Sequence, residues 1–514
     1  MTSAARFENP VLPGCHPDPS VCRVDGDFYL VTSTFEWFPG LPVFHSRDLV
    51  HWRQIGHALD RPGQLPLEGV PASGGLYAPT LRHHDGTFYL ICTLVDGKDW
   101  SGHFVLTASD PAGPWSDAHR LEGEGIDPSL FFDDDGTAWC TGTRLTGRYE
   151  GHTEIWLRRF DPAALALTGE EHVIWDGAVK DAIWSEASHL YKIGGRYYLL
   201  TAEGGTALDH AVMVARADEV TGPYRGNPRN PVLTHRDLRA GHPIVGTGHA
   251  DLVDTPDGEW WMVLLGMRPH HGDRCVLGRE TFLAPVAWED GWPVTGGRVV
   301  PDPPFPDLPP HPWPAVPLCD QFDGPELAPV WNVLRGPRDR WWSLAERPGH
   351  LRLRVRPETL ADTASPSFVG RRQQHHDFAA FTSLDFTPAD EEWAGLALVQ
   401  NNDFHVLLVS TADGIRLVKR EQGVETVLAA APAAAGPVRL AFEARGRWYR
   451  ASYAPGDAAG PDGWTPLGGP VDGDILSSQV AGGFTGVYVG PYATANGRAS
   501  TNHADFAWFE YRPL

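Results

Sequence analysis

His16-Pro17-Asp18-Pro19-Ser20 sets a carboxylate between two prolines. Proline fixes its own φ and restricts the residue before it, so Asp18 sits on stiff backbone. Seven residues on, Asp25-Gly26 followed by Phe28-Tyr29-Leu30 gives a hairpin signal. The unit recurs. Tyr77-Ala78-Pro79-Thr80-Leu81 leads to Asp85-Gly86 and Phe88-Tyr89-Leu90, and Asp127-Pro128-Ser129-Leu130 leads to Asp135-Gly136 and Trp139. Glu186-Ala187-Ser188-His189-Leu190-Tyr191 leads to Gly194-Gly195 and Tyr197-Tyr198-Leu199, and His249-Ala250-Asp251-Leu252-Val253 leads to Asp257-Gly258 and Trp260-Trp261. In these later copies the turn comes eight residues after the leading residue.

The leading residues are 59, 50, 59 and 63 positions apart. A repeat of that length built from hairpins, with no helical period, predicts a β-propeller with one sheet per blade. Five copies predict five blades over residues 1–300. Equivalent positions in a propeller lie at one height around its axis, so Asp18, Tyr77, Asp127, Glu186 and His249 are expected to converge at one end of the channel. Residues 301–317 hold nine prolines and form a stiff connector. Beyond it, residues 318–514 change character. His350-Leu351-Arg352-Leu353-Arg354-Val355-Arg356 alternates as a strand with one wet face does, and further strand patterns follow without a long amphipathic helix. The expected fold is all-β: a five-bladed propeller followed by a β-sandwich.

The net charge of −23 argues against nucleic acid or an anionic membrane as partner, since both demand a basic face. None of the six cysteines forms a Cys-x-x-Cys pair, so a zinc site is not expected. Met1 to Glu8 has no apolar signal-like core, and no run of 18 apolar residues occurs. A cytoplasmic protein acting on a small substrate is the expectation. Twenty Trp, thirteen Tyr and twenty-two Phe serve mainly sheet packing, but aromatic faces also suit the apolar C–H faces of sugar rings. Ser33 to Gly40 puts three aromatics in one loop, which either pack or bind. Gly204-Gly205-Thr206 follows a strand where a loop can reach the channel mouth.

Three carboxylates at the end of an aromatic-lined channel suit glycoside hydrolysis. One acid protonates the leaving oxygen and one base activates water or attacks directly. A third carboxylate beside the acid would keep it protonated near neutral pH. Glu186 reaches one methylene further than the two aspartates and is the natural proton donor.

Asn9-Pro10-Val11-Leu12-Pro13-Gly14, His16 to Ser20, Ser33 to Gly40, Gly125-Ile126-Asp127-Pro128-Ser129-Leu130-Phe131 and Gly278-Arg279-Glu280-Thr281 together resemble glycoside hydrolase family 43. The nearest resemblance is to its β-xylosidases and α-L-arabinofuranosidases that carry a C-terminal concanavalin-like β-sandwich. The resemblance implies inversion, with Asp18 as general base, Asp127 as the aspartate that tunes the acid, and Glu186 as general acid. It places Phe35, Tyr77 and Arg279 against the sugar, and Thr206, in the loop at the channel mouth, is expected to join them. It puts His249 on the propeller axis, where some members hold a calcium ion; no cofactor is required for the chemistry. It also implies that the sandwich walls the entrance, and the loop around Tyr492 is the expected contributor.

The chain departs from the usual pattern in two places. The acid motif reads Glu186-Ala187-Ser188-His189 in place of Glu-Gly-Pro-His, and Tyr77 stands where Trp is frequent. Both leave the sugar open. One reading is an exo-acting enzyme releasing xylose from short β-1,4-xylooligosaccharides; others are an α-L-arabinofuranosidase, an enzyme with both activities, or a sugar-binding propeller without catalysis. The last does not need a proton donor. A retaining fructosidase-type propeller would want Asn before the first Asp, where this chain has Pro17. The expected partner is a small oligosaccharide, and assembly with further copies of the chain is compatible with all of these readings.

Overall fold

The structure, a computed structural model, describes residues 5–238, 241–432, 436–456 and 463–514. Five antiparallel sheets follow one another in chain order. The innermost strands of the five blades are Ser20–Val24, Gly75–His84, Ile126–Phe132, Glu186–Ile193 and Val245–Asp254. In each blade the chain then steps outward, strand by strand, through hairpins. The Asp25-Gly26, Asp85-Gly86 and Gly194-Gly195 turns are two-residue connections, between the pairs Val24–Asp27, His84–Thr87 and Ile193–Arg196. At Asp85-Gly86 and Gly194-Gly195 both turn residues have positive φ, and at Asp25-Gly26 Asp25 does.

Apolar clusters fill the seams between blades: Phe28, Leu30, Val263 and Leu283 between the first and the last, Ile91, Val105, Leu130 and Cys140 between the second and third. The ring is closed without an exchanged strand. Leu12 bridges Thr281, and the Asn9 side chain donates to Leu283 O and accepts from Leu283 N.

The proline-rich connector lies along the propeller. Phe7 and Asn9 donate to Pro303 and Pro301 carbonyls, and Trp313 stacks under the Arg53 guanidinium at 3.9 Å. The remaining chain forms two facing sheets of nine and seven strands. Their core is continuous with the seam between the first two blades: Val43, Leu81 and Phe104 share one cluster with Leu351, Leu396 and Phe442. Backbone also crosses the boundary, because Trp37–Phe38 pairs with Val333–Leu334. The Trp37 ring stacks on Tyr488 at 3.6 Å. The aromatic loop of the first blade is therefore divided in purpose: Trp37 and Phe38 dock the sandwich, and Phe35 faces elsewhere.

Candidate active site

Every innermost strand enters through the same local irregularity. Asp18, Ala78, Asp127, Ala187 and His249 all have positive φ, between 42 and 56°. In the last four blades the pairing register slips at this point, as a β-bulge requires. Such backbone is sparsely populated by residues other than glycine and persists only where its surroundings hold it. The bulge corrects the expected equivalence. Aligned by their bulges, Asp18, Asp127 and His249 correspond, but in the second and fourth blades the corresponding residue is alanine. Tyr77 and Glu186 come one position earlier. A bulge turns consecutive residues toward the same region, so the side chains still meet.

They meet in a pocket of about 820 Å³ whose lining includes Asp18, Phe35, Tyr77, Asp127, Glu186, Thr206, His249 and Arg279. Asp18 is held from two sides. The Ser33 hydroxyl donates to it at 2.6 Å, and Arg279 Nη1 donates at 2.9 Å. The same Arg279 nitrogen donates to Thr206 Oγ1 at 3.0 Å, while its Nε is buried and has no protein partner among the described residues. The strand after Gly278 also fixes the segment before Asp18. His16 N donates to Arg279 O, the Thr281 hydroxyl donates to His16 O, and Glu280 accepts from Gly14 N and from Arg268. The Gly-Arg-Glu-Thr motif is thus one device for closing the ring and positioning the first aspartate.

The three carboxylates differ in charge state. Burial alone would raise Asp18, but Arg279, His249 and the Ser33 hydroxyl outweigh it and hold its carboxyl below the usual range. Burial and the charge of Asp18 push Asp127 up to about 6, against His249 and the Ala187 N–H that donates to it at 3.1 Å. Glu186 is raised well above an ordinary glutamate, first by removal from water and then by the charges of Asp127 and Asp18. Asp18 therefore gives up its proton the more readily of the two, and Glu186 holds its proton the more tightly.

Aromatic rings wall one side. Phe35 meets Tyr77 edge-on at 5.2 Å and stacks with Phe484 at 6.1 Å. Arg279 lies 5.5 and 5.4 Å from the Phe35 and Phe484 ring centres. Phe484 belongs to the sandwich, as do Ser478, Gln479 and Gly483, which also line the pocket. Ser73 ties this wall to the propeller: its hydroxyl accepts from Phe484 N, its carbonyl accepts from the Tyr77 hydroxyl, and its N–H donates to buried Glu36.

Tyr492, the residue expected at the entrance, is not in the pocket. It lies within the strand Tyr488–Thr494, 2% exposed, packed with Trp37 and Phe368 inside the sandwich, and its hydroxyl accepts from Leu360 N. The sandwich reaches the site through the loop eight residues earlier. Sequence reasoning also passed over Trp184, two residues before Glu186, and His210 and Leu208, which carry no motif.

His249 does stand on the axis, its Nδ1 3.4 Å from Asp18 Oδ1. Calcium takes six to eight oxygen ligands. Among the described residues no group of three His, Cys, Asp or Glu side chains is placed to hold a metal ion, so calcium beside His249 would draw most of its oxygen ligands from water.

Residues 7–293 match glycosyl hydrolases family 43, and residues 319–512 match the β-xylosidase C-terminal concanavalin A-like domain. The chain belongs to glycoside hydrolase family 43. It is 43% identical over 518 residues to a xylosidase/arabinosidase of Butyrivibrio fibrisolvens, covering 98% of each chain. It is also 43% identical to a non-reducing end α-L-arabinofuranosidase of Bacteroides ovatus, covering 99% of this chain and 95% of the other. Among solved structures, a xylan β-1,4-xylosidase from Bacillus halodurans superposes with a TM-score of 0.93 at 39% identity, over 98% of this chain and 100% of that one. The protein is a glycoside hydrolase, an enzyme acting on oligosaccharides.

Proposed function

We propose that the hydrolase releases single xylose units from the ends of short β-1,4-xylooligosaccharides with inversion at the anomeric carbon. The observation that carries this reading is one pocket that holds Asp18, paired with Arg279 and drawn below the usual carboxylate range, together with Asp127 and Glu186, which burial and neighbouring charge raise. Asp18 takes a proton from water as that water bonds to the anomeric carbon. Glu186 gives its proton to the leaving oxygen, and Asp127 keeps Glu186 charged with that proton until the bond breaks. Arg279, held by Asp18 and Thr206, presents its remaining donors to sugar hydroxyls. Phe484 closes the side of the pocket, which favours a chain end over a mid-chain segment.

A second reading, α-L-arabinofuranoside hydrolysis, is supported by Tyr77 at a position where the family frequently has Trp, and by the relatives that carry both names. Side-by-side rates on nitrophenyl β-D-xyloside and α-L-arabinofuranoside decide between them, and proton NMR of the first-formed anomer tests inversion. An inverting enzyme needs about 6.5–9.5 Å between the two carboxyls to admit water. Retained configuration overturns the mechanism, and turnover of neither glycoside overturns the substrate class.

A further inference from the structure

The pocket has two unlike halves. Its inner half is buried and charged: Asp18, Asp127, Arg279, His210 and His249 are all less than a tenth exposed. Its outer half is rimmed by Ile126, Ile183, Trp184, Leu208 and Phe484, with no charged side chain among the lining residues there. Ile183, Leu208 and Phe484 are 40, 51 and 37% exposed. Single exposed apolar side chains need no explanation, but several converging on one mouth make a contact surface.

These rim residues are also held in place. Trp184 N donates to Gly151 O at 2.7 Å, Gly204 N to Ile183 O at 2.9 Å, and Ala207 N to Gly205 O at 2.8 Å. Polar side chains in the lining are few: Thr206 is engaged by Arg279, the Gln479 carbonyl accepts from Cys275 N, and the Gln479 amide and the Ser478 hydroxyl remain, both on the sandwich side. A second sugar ring carries hydroxyls on its edges that need partners once water is displaced. Branched aliphatic side chains offer none.

We propose that this rim is a leaving-group site for apolar aglycones, so that the substrate class extends to alkyl glycosides and other glycosides of apolar alcohols. The proposal rests on the glycone binding at Asp18 and Glu186 as described under Proposed function. The reaction balances for any alcohol. The bond from anomeric carbon to leaving oxygen breaks, water oxygen takes its place, Asp18 receives the water proton, and the Glu186 proton leaves on the alcohol.

The test is a series of methyl, butyl, hexyl and octyl glycosides of whichever sugar is cleaved faster. These alcohols are close in acidity, so the demand on Glu186 stays constant while apolar area grows. KM is expected to fall by up to about fourfold for each methylene that the rim buries, with kcat nearly constant, and by at least about tenfold from methyl to hexyl. Leu208→Ser and Ile183→Ser should flatten that slope, whatever they do to the methyl glycoside. Val424→Ser, on the exposed outer strand of the sandwich, should retain it. A KM that does not fall along the series overturns the proposal, as does a slope unchanged in both rim variants. Failure to cleave any member, together with the disaccharide, would instead overturn the function on which it rests.

Discussion

Two rings of side chains stand on the propeller axis, two residues apart in every blade. The ring at the pocket floor carries Asp18, Asp127 and His249, with Glu186 beside it. The next ring down carries Ser20, Thr80, Ser129, His189 and Asp251, all less than 9% exposed. Backbone repeat and burial are shared, yet the carboxylates differ: Asp251, like Asp18, is held below the ordinary range, whereas Asp127 and Glu186 are raised. Asp251 accepts from both Nη atoms of Arg82, from the Ser20 and Tyr191 hydroxyls and from Val21 N. Burial would raise it, but Arg82 and His189 hold it well below the ordinary range. Arg82 also donates to His189 Nδ1, which the Ser129 hydroxyl meets too, so one network spans the channel. Among the described residues no cation is paired with Glu186, and Arg279, engaged by Asp18, only partly offsets its rise. Depth in the fold therefore does not set the charge of a carboxylate; the donors around it do. The lower ring is a network of mutually satisfied groups, and the upper ring lines the pocket.

The most severe way to break the upper ring is Glu186→Gln. Loss of the general acid should slow xylobiose hydrolysis by about a hundredfold to ten-thousandfold, and nitrophenyl xyloside hydrolysis by much less, because that leaving group needs little protonation. Equal losses on both would remove Glu186 as proton donor. The same variant has a stability signature. A raised folded-state pKa gives stability that is full below the unfolded value of about 4.3 and is lost as pH rises through the folded value. The melting temperature of Glu186→Gln should accordingly fall less between pH 5 and 9 than that of the parent.

Arg82→Met breaks the lower ring. It strands Asp251 without its cation, a change expected to cost about 3–5 kcal/mol. In the parent, Asp251 contributes stability above the unfolded pKa of about 3.9 that is lost only as pH falls through its depressed folded value. In the variant, burial is left to dominate, and stability should instead fall as pH rises. Thermal melts across pH read both effects. An unchanged melting curve would mean the ion pair does not hold the ring together.

Asp127→Asn sharpens the contrast without removing the acid. The Asp127 charge raises Glu186. Its neutralisation should move the alkaline limb of the kcat profile to lower pH, with a rate loss below the hundredfold expected for removing the acid itself. A stationary limb would leave Asp127 as a holder of the Ala187 backbone only.

Much of this arrangement is legible in the chain. Asp-Pro-Ser ahead of an Asp-Gly turn, repeated around the sequence, marks the blades and two of the three carboxylates. The bulge is not legible, because two differences cancel. Glu186 and Tyr77 precede their bulged residue by one, while the third and fifth blades have longer hairpin loops, running from Phe132 to Ala138 and from Asp254 to Trp260. Counting residues to the turn therefore gives eight for all four copies and hides the shift. The misplacement of Tyr492 has a different cause. Proline argues against a central strand, so Gly490-Pro491-Tyr492 reads as a turn. In the fold, Pro491 does lie within a strand, at the point where its facing partner is interrupted: Ser367–Phe368 pairs on one side of it and Arg371–Arg372 on the other. The missing N–H falls where no acceptor is needed, and nothing in the local sequence shows this.

The smallest expected effect comes from Ser20→Ala, and it separates the two rings most cleanly. The Ser20 hydroxyl donates to Asp251 at 2.7 Å and accepts from Leu81 N at 3.0 Å. Removing it leaves Leu81 N–H without that partner and takes one donor from Asp251, whose Arg82, Tyr191 and Val21 partners remain. A lost bond to a charged group is worth about 1.5–3 kcal/mol, and the persistence of the ion pair places this variant at the lower end, above the loss of Arg82 in stability. Asp18 is only two residues away, but it is fixed by Ser33 and Arg279, neither of which touches Ser20. The pH–rate profile should therefore keep both limbs while the melting temperature drops by a few degrees. A shifted acidic limb would show that the lower ring tunes the base, and the division between a ring of mutually satisfied groups and a ring that lines the pocket would fail.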